Sequence, residues 1–509
     1  MTWRLLFVLL LGAAIPATNW AASNDDGAKV VHVLNRLGYG PAPGDVERVR
    51  ALGIDSYIHG QLHPEHLALP ATLGRELATL ETLPLDPVQL FKEYHPRLEK
   101  RGAKADPDAL KAARERARVI MQQAAQARIL RAIESPRQLE EVMVDFWFNH
   151  FNVFAAKGLD HLWTGAYEQQ AIRPHVFGRF RDLLGATARH PAMLFYLDNW
   201  QNTAPKSAGA RGKLQGLNEN YARELMELHT LGVDGGYTQD DVVVLARIFT
   251  GWGLGQPRAG NSGKGGFYFD AKRHDAGDKV FLGQPIEGGG QAEGEQALDI
   301  LARHPATARH LSFKLAQYFV ADDPPRTLVD KLSRRFNDTD GDIRAVLETL
   351  FRSSEFWDPK YYAAKFKTPY QYLISAVRAA GVEVRNIRPL YGSLMLQGMP
   401  LYGCVTPNGY KNTQEAWLNP EALTRRIDFA TLLAVGRLPL DRPMSGEPMP
   451  GAKRNNAPDK NGHATPLDWQ ALARTLDDRL SPETRAIVDG AHERLRAALI
   501  LGSPDFMRK

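Results

Sequence analysis

Two groups of polar side chains recur at helical spacing within otherwise apolar segments. The first falls within a wedge of about 80° on a helical wheel with about 100° per residue, and it comprises Glu141, Asp145, Asn149 and Asn152. Apolar residues occupy most of the rest of that wheel. Because buried polar groups need hydrogen-bonding partners, we expect this stripe to face a polar element, a bound ion or a water-filled pocket.

The second group consists of Asn220, Glu224 and Glu227, beside an apolar helix face. We expect Glu224 to be the more buried carboxylate. Burial without a cationic partner would raise its pKa and suit it to general-acid chemistry, whereas pairing with Arg223 or Arg247 would keep it ionised and structural. Both interpretations are open from the sequence.

If the two stripes face each other, their side chains form an acidic, amide-rich cleft that could hold a sugar or a cation. Paired carboxylates cleave glycosidic bonds, one as the acid and the other as the nucleophile or base. We therefore predict that Glu224 is the acid and that Glu227 or Asp145 is the base or nucleophile. Asn149 and Asn220 would orient the substrate.

Two further side chains are candidates for contact with a substrate. Trp252 follows a glycine, and a flat ring beside carboxylates suits the apolar face of a sugar, although tryptophan is also common in cores. His274 lies in a charged segment that could swing over a cleft, and a solvated turn is its alternative.

A divalent metal is a further possibility. Mixed carboxylate and imidazole ligands suit manganese, iron or zinc, so Asp145, His150, Glu224 and Glu227 could bind one. His150, however, falls on the apolar side of its helix, where a histidine is more often a core residue. A di-iron bundle is disfavoured, because the residue three before His229 is a methionine instead of glutamate.

Common catalytic motifs are missing from the sequence. It contains no His-Glu-x-x-His, Gly-x-Ser-x-Gly, phosphate loop or dinucleotide fingerprint. The sequence therefore gives no motif evidence for the usual hydrolase and nucleotide-binding classes.

Helical periodicity dominates the segments that must position these residues. The clearest run over Lys100 to Ile133, Ser135 to Phe154, Leu217 to Leu231, Thr238 to Phe249, Ala306 to Val320 and Arg344 to Phe351. They predict an all-α, multi-helix bundle. One glycine-rich region lacks this periodicity and predicts a small β-ribbon insert near residues 261–290. In this ribbon residues 267–269 would pair with residues 280–282, and the ribbon could form a lid.

The chain divides into five predicted segments. Residues 1–22 are predicted to be a signal peptide and residues 23–134 an N-terminal helical region. Residues 135–440 are predicted to form a central helical domain that carries the ribbon. Residues 441–466, rich in Pro, Gly, Asn and Lys, read as a flexible loop or linker, and 467–509 as a C-terminal helical segment.

The N-terminus predicts export. Arg4 precedes an unbroken apolar run from Leu5 to Ile15, and small residues follow at a suitable cleavage site. No later window approaches the roughly 18 apolar residues of a membrane helix, so we expect no transmembrane anchor. Cys404 is the only cysteine, which rules out an intramolecular disulfide. We expect a periplasmic or secreted protein.

The charge pattern constrains the partners. The net charge of +5 hints at acidic glycans, envelope phosphates or lipid headgroups. The basic residues are dispersed, without the clusters and interleaved aromatics of nucleic-acid binding. We therefore expect no nucleic-acid partner.

An ordered set of motifs resembles a known family. The motifs lie at residues 32–40 (HVLNRLGYG), 145–150 (DFWFNH), 218–229 (NENYARELMELH), 237–242 (YTQDDV), 250–252 (TGW) and 408–410 (NGY). Together they resemble the bacterial exported family catalogued as domain of unknown function 1800. The resemblance implies an exported, largely helical protein, often encoded near a second exported family related to sulfatases. It implies no reaction and no catalytic residues.

Two functions of different classes follow from these observations. The first is a carboxylate-dependent hydrolase or lyase acting on an envelope or extracellular polysaccharide. The second is a non-catalytic assembly or binding partner of another exported, sulfatase-related protein, in which the stripes form internal ion pairs. Convergence of the carboxylates on an open pocket would favour the enzyme, and pairing of each with an arginine would favour the partner.

Overall fold

The computed structural model describes residues 25–95, 107–212, 214–255, 265–442, 465–477 and 479–509. These parts contain 23 α-helices and two small antiparallel sheets of two strands each. The all-α prediction with a small β insert is therefore confirmed. The predicted signal peptide at 1–22 and nearly all of the predicted linker at 441–466 lie outside the described residues.

The N-terminal half contributes twelve helices. Their bounds are α1 Asp25–Arg36, α2 Asp45–Leu52, α3 Ile54–Leu62, α4 Ala71–Ala78, α5 Pro87–Tyr94, α6 Pro107–Glu134, α7 Gln138–His150, α8 Asp160–Tyr167, α9 Phe180–Arg189, α10 Pro191–Tyr196, α11 Asn220–Glu224 and α12 Gln239–Ile248. Two π-helical turns interrupt the regular pattern, at Glu168–Ile172 and at Leu225–His229. The second follows α11 directly and carries Glu227.

The remaining helices run to the C-terminus. They are α13 Gln291–Arg303, α14 Pro305–Phe319, α15 Arg326–Asp338, α16 Ile343–Phe351, α17 Pro369–Ala380, α18 Arg388–Leu396, α19 Gln414–Trp417, α20 Pro420–Ala434, α21 Trp469–Thr475, α22 Pro482–Gly490 and α23 Glu493–Leu501. Helix α23 packs against α20. Main-chain hydrogen bonds also join Lys509 to Lys365, so the final residues pack back onto the segment before α17.

Helix α7 lies at the centre of the core. Nearly every one of its side chains is buried, including Trp147 at 1% exposure, as expected of a helix that is apolar almost all round. It packs against α3, α6 and the π-turn at 168–172. The polar stripe of α7 is therefore enclosed by neighbouring elements.

Predicted helix boundaries near the candidate site are largely confirmed. Thr238 and Asp241 form a capping box that begins α12, and the Asp342 side chain caps α16. Gly232 adopts a left-handed φ of 84° just after the π-turn, as expected of a glycine that ends a helix.

The ribbon differs from its prediction. Strand β1 (Trp252–Leu254) pairs with β2 (Phe267–Phe269), and β3 (Lys279–Phe281) pairs with β4 (Gln284–Ile286). The predicted pairing of residues 267–269 with 280–282 is therefore wrong. Leu282 and Gly283 both have positive φ, 47° and 75°, which favours a tight two-residue hairpin turn. This turn brings β4 beside β3, so β3 pairs with β4 instead of β2.

The close packing of Gly294 in α13 against Trp252 of the ribbon can be tested by mutation. A Cβ at Gly294 in α13 would lie 2.3 Å from the Trp252 ring, whereas a Cβ at Gly392 in α18 would meet nothing within 4 Å. We expect Gly294→Ala to lower the free energy of unfolding by about 1–3 kcal/mol through overpacking. Gly392→Ala should raise it by up to about 1 kcal/mol.

Urea unfolding of the two variants and the wild type measures this difference. Equal stability of the two variants would contradict the close packing of α13 on Trp252.

Candidate functional site

The acidic members of the α7 stripe have arginine partners. Arg173 donates two hydrogen bonds of 2.8 Å to Glu141. Arg128, from α6, contacts Asp145 at 2.6 Å and Glu168 at 3.0 Å, and all three side chains are almost fully buried. These pairs are internal, as the structural interpretation of the stripe predicts.

Asp145 has a second buried partner, Tyr318, which lines the cleft described below. The Tyr318 hydroxyl donates a hydrogen bond of 3.3 Å to its other oxygen. The Tyr318 hydroxyl in turn accepts one of 3.1 Å from Gln371. Asp145 is thus held in a hydrogen-bond network, and Arg128 balances its charge. Because both of its oxygens are occupied, Asp145 is better suited to orient neighbouring groups than to act as a free base.

The asparagines of the stripe hold a loop in place. We call residues 399–412 the clamped loop, because Asn149 donates to the Tyr410 carbonyl at 2.8 Å and accepts from its amide at 2.7 Å. Asn152 donates to the carbonyls of Cys404 and Thr406 at 3.0 and 2.9 Å. A Cβ at Gly409 would lie 2.2 Å from the Asn149 carbonyl oxygen, so the close approach requires glycine. Asn149 therefore has a positioning role in this structure.

Glu224 and Glu227 lack such partners. Both are partly exposed, and neither has a hydrogen bond or ion pair within the described parts of the chain. The two arginines considered from the sequence are engaged elsewhere, Arg223 with Glu219 and Arg247 with Asp275. Burial, and next the neighbouring Glu227 carboxylate, raise the pKa of Glu224. This is the behaviour expected of a general-acid candidate.

Two tyrosines lie within electrostatic range of these carboxylates. Burial is the main cause of the raised pKa of Tyr196 and of Tyr237, and Glu224 adds to both shifts. The Tyr196 hydroxyl donates to the Val405 carbonyl at 2.7 Å and so fixes the clamped loop beside this region. Asn220 donates to the Leu197 carbonyl at 3.2 Å, which ties α11 to the end of α10.

Trp252 lies in the interior. It is 0% exposed and packs edge-on against Phe249 and Phe267, with ring centroids 4.9 and 5.0 Å away. Its predicted contact with a substrate would require the ring to leave this position. The structure gives Trp252 a packing role between α12, α13 and the ribbon.

His274 is also buried, within an ion network. Its Nε2 atom lies 2.8 Å from Glu293, whose other oxygen accepts from Lys279 at 2.6 Å. Burial alone would raise the pKa of Glu293, but these hydrogen bonds from Lys279 and His274 lower it. The network fastens the ribbon to α13, so His274 is not brought to the carboxylates of α11.

A cleft between α7, α14 and the clamped loop contains residues that the sequence did not single out. It has a volume of about 180 Å³ and is lined by Asp145, Phe146, Asn149, His150, Lys314, Gln317, Tyr318, Thr368, Met399, Asn408, Tyr410, Lys411 and Asn412. Asp145 and Asn149 line this cleft, but Glu224 and Glu227 do not. The two polar stripes therefore do not converge on this one pocket.

Lys314 is the unusual residue of the cleft. Its ammonium makes no hydrogen bond or ion pair within the structurally described ranges, and burial lowers its pKa to about 8. The sequence signal was a lysine in the middle of α14, whose neighbours are mostly apolar. One lysine on a long helix is ordinarily solvated, so the signal was too weak to stand out.

Three histidines cluster behind Lys314. The ring of His150 lies 6.1 Å from that of His229 and 6.3 Å from that of His310. Burial lowers the pKa of His229 to about 3 and that of His310 to about 4. Over the described ranges, no three or more His, Cys, Asp or Glu side chains are placed to hold a metal ion.

Fold and site together define a helical protein with a clamped loop, a partly enclosed cleft with an unpaired lysine and a separate pair of unpaired carboxylates. The chain matches the model of the family described as Protein of unknown function (DUF1800) over residues 32–508, and it belongs to that family. No curated protein and no solved structure matches it. Within the described residues, no helix is long and apolar enough to cross a membrane.

The buried Arg128 gives a prediction with a matched control on the same helix. Arg128→Met would leave Asp145 and Glu168 buried and unpaired, so we expect it to lower the free energy of unfolding by about 3–5 kcal/mol. Arg118→Met removes only an exposed pair with Glu115 and should change it by less than about 1 kcal/mol.

Chemical denaturation at neutral pH measures both changes. A loss for Arg128→Met no larger than that for Arg118→Met would show that the two carboxylates are not held by this guanidinium.

Proposed function

We propose that the protein is an exported enzyme, a hydrolase or lyase, that acts on an envelope or extracellular polysaccharide with Glu224 as its acid. The observation that carries this proposal is the unpaired state of Glu224. The acidic residues of the first stripe have an arginine partner, whereas this partly exposed carboxylate makes no ion pair or hydrogen bond among the described residues. Burial and Glu227 raise its pKa, and the charge of Arg223 offsets this only in part. An uncompensated carboxylate destabilises a fold, which suggests retention for chemistry.

The residues around Glu224 suit work on a sugar chain. A protonated Glu224 can donate its proton to the glycosidic oxygen as that bond breaks. Glu227 is the second carboxylate, because it lies within electrostatic range of Glu224. It can attack the anomeric carbon or take a proton from water, and one water molecule is added across the bond in either case. Tyr237, which is partly exposed, supplies aromatic surface and a hydroxyl group nearby.

A lyase would use the same pair differently. The base would remove the proton on the carbon next to a uronate carboxylate, and the acid would protonate the leaving oxygen as the double bond forms. Asp145 is the less suitable base in either reaction, because Arg128 and Tyr318 already occupy its two oxygens.

Export rests on the N-terminal sequence. A positive residue, an apolar run and small residues are the pattern of a cleaved signal peptide. A periplasmic or secreted location would place the protein beside envelope and extracellular polysaccharides. The net charge of +5 is compatible with an acidic glycan.

The second candidate is a non-catalytic partner of another exported protein, of the sulfatase-related kind. The internal pairing of Asp145 with Arg128 and of Glu141 with Arg173 favours it. These pairs serve the fold and give no sign of turnover.

Activity measurements separate the candidates. We expect the mature protein to release new chain ends from one member of a panel of neutral and uronate-containing polysaccharides. Glu224→Gln should lower the rate by about 100-fold or more, and Glu227→Gln should do so as well. Glu348→Gln on α16, which pairs with Arg352 on the surface, is the control and should leave the rate unchanged. Ultraviolet absorbance of an unsaturated product identifies a lyase.

Full activity in Glu224→Gln would overturn the assignment of the acid. A folded wild type that cleaves no polysaccharide, together with stable complex formation with the sulfatase-related protein, would establish the second candidate.

Stability against pH gives an independent prediction for the same residue. The folded-state pKa of Glu224 is raised above its ordinary value of 4.5, so the stability it contributes is present below pH 4.5 and lost as the pH rises through the folded-state pKa. Glu224→Gln should therefore be at least as stable as the wild type at pH 7. The difference should disappear near pH 4.

Thermal unfolding midpoints at the two pH values check this prediction. A variant that is markedly less stable at pH 7 would mean that the carboxylate has a stabilising partner.

A further inference from the structure

The cleft between α7, α14 and the clamped loop contains polar atoms with unused hydrogen-bonding capacity. Lys314 lines it with an ammonium that no described residue contacts through a hydrogen bond or ion pair. The Nδ1 atom of His150 and the Oδ1 atom of Asn412 are buried and also have no partner in the parts of the chain described. Buried polar groups are normally satisfied, so two such atoms beside the partly exposed, unpaired Lys314 ammonium point to a missing ligand.

The hydrogen-bonding character of each unsatisfied atom indicates which ligand group it would bind. The Nε2 atom of His150 lies 3.1 Å from the His229 carbonyl oxygen, which can only accept, so Nε2 carries the proton. Burial lowers the pKa of His150 well below its usual value and keeps the ring neutral. Its Nδ1 atom is therefore an acceptor, like the Asn412 oxygen. These two atoms need hydroxyl donors, while Lys314 needs an anion.

The charges around the cleft favour an anion. Lys411 lies at its exposed rim, and Lys314 lies further in. Asp145 is the one carboxylate in the lining, and Arg128 matches its charge at 2.6 Å. An anion that enters the cleft thus meets an excess of positive charge.

The volume of the cleft indicates the size of the ligand that fits inside it. The cleft holds about 180 Å³, whereas a cavity of about 150 Å³ accommodates benzene. One six-membered ring with its substituents therefore fits within the cleft.

We propose that this cleft is a binding site for one hydroxylated anion, with its carboxylate or phosphate on Lys314 and its hydroxyl groups on His150 and Asn412. A single acidic sugar residue has this chemistry. The site is separate from Glu224 and Glu227, which do not line the cleft, and the inference does not rest on their proposed catalytic role.

Calorimetric titration of the mature protein tests the site with four probes: glucuronate, glucose, inorganic phosphate and glucose 6-phosphate. We expect the hydroxylated anions to bind at least about 10-fold more tightly than neutral glucose, a difference of about 1.4 kcal/mol. Tighter binding of glucuronate identifies a carboxylate as the anionic group, and tighter binding of glucose 6-phosphate identifies a phosphate. The proposal would be overturned if neither glucuronate nor glucose 6-phosphate bound more tightly than glucose.

Variants locate the binding. Lys314→Met keeps the length of the side chain, removes an unpaired cation and should fold with an unfolding midpoint no lower than that of the wild type. It should lose at least about 10-fold in affinity for the anion, whereas Lys360→Met, an exposed control that pairs with Asp358, should bind as the wild type does. Lys411→Gln at the rim should weaken binding to a lesser degree.

Unchanged affinity in Lys314→Met would place the anion elsewhere and overturn the proposal. The same titrations on Glu224→Gln keep this test separate from the proposed catalysis. Binding should persist in that variant even though its activity is lost.

Discussion

The guanidinium of Arg128 holds together the elements that shape the cleft. It comes from α6, pairs with Asp145 on α7 and with Glu168 on the first π-turn, and lies over the rings of Phe148, Tyr370 and Tyr402 at 5.1 to 5.3 Å. Tyr402 belongs to the clamped loop and donates to Glu168 at 2.9 Å. One buried charge thus connects two helices, a π-turn and the loop that borders the cleft. Removing either partner of such a group leaves an uncompensated charge, so the arrangement is stable only when complete.

Helical spacing was enough to predict that a buried helix carries a narrow polar stripe, because the period of an α-helix is fixed by its backbone. The partners of that stripe could not be predicted, because they come from distant parts of the chain. Asn149 bonds to the main chain of Tyr410, 261 residues away, and a main-chain partner has no signature in the sequence. The stripe was therefore found, while its role in clamping a loop was not.

Local turn chemistry explains the error in the ribbon. Three consecutive aromatic residues gave the right strand at Phe267–Phe269, but its partner depended on the turn at residues 282–283, which pairs β3 with β4. The positive φ angles of Leu282 and Gly283 let β3 fold back on β4, which leaves β2 to pair with the strand after α12. The pairing buries Trp252 against α13, and this is why a tryptophan beside a glycine-rich segment became a core residue.

The distribution of unpaired charge is the strongest functional argument. Several buried charges of this chain have oppositely charged partners, as Arg128 with two carboxylates and Glu293 with Lys279 show. Glu224 and Lys314 have no such partner among the described residues, and neither does the buried Asp160. Glu224 and Lys314 differ from Asp160 because they are partly exposed and can be reached by a ligand. Glu224 has a raised pKa and Lys314 a lowered one. Each of these two unpaired groups costs stability in the free protein, and a bound substrate or ligand would offset it. A chain that only needed to fold would gain from replacing both, so we infer that both are retained for what they contact.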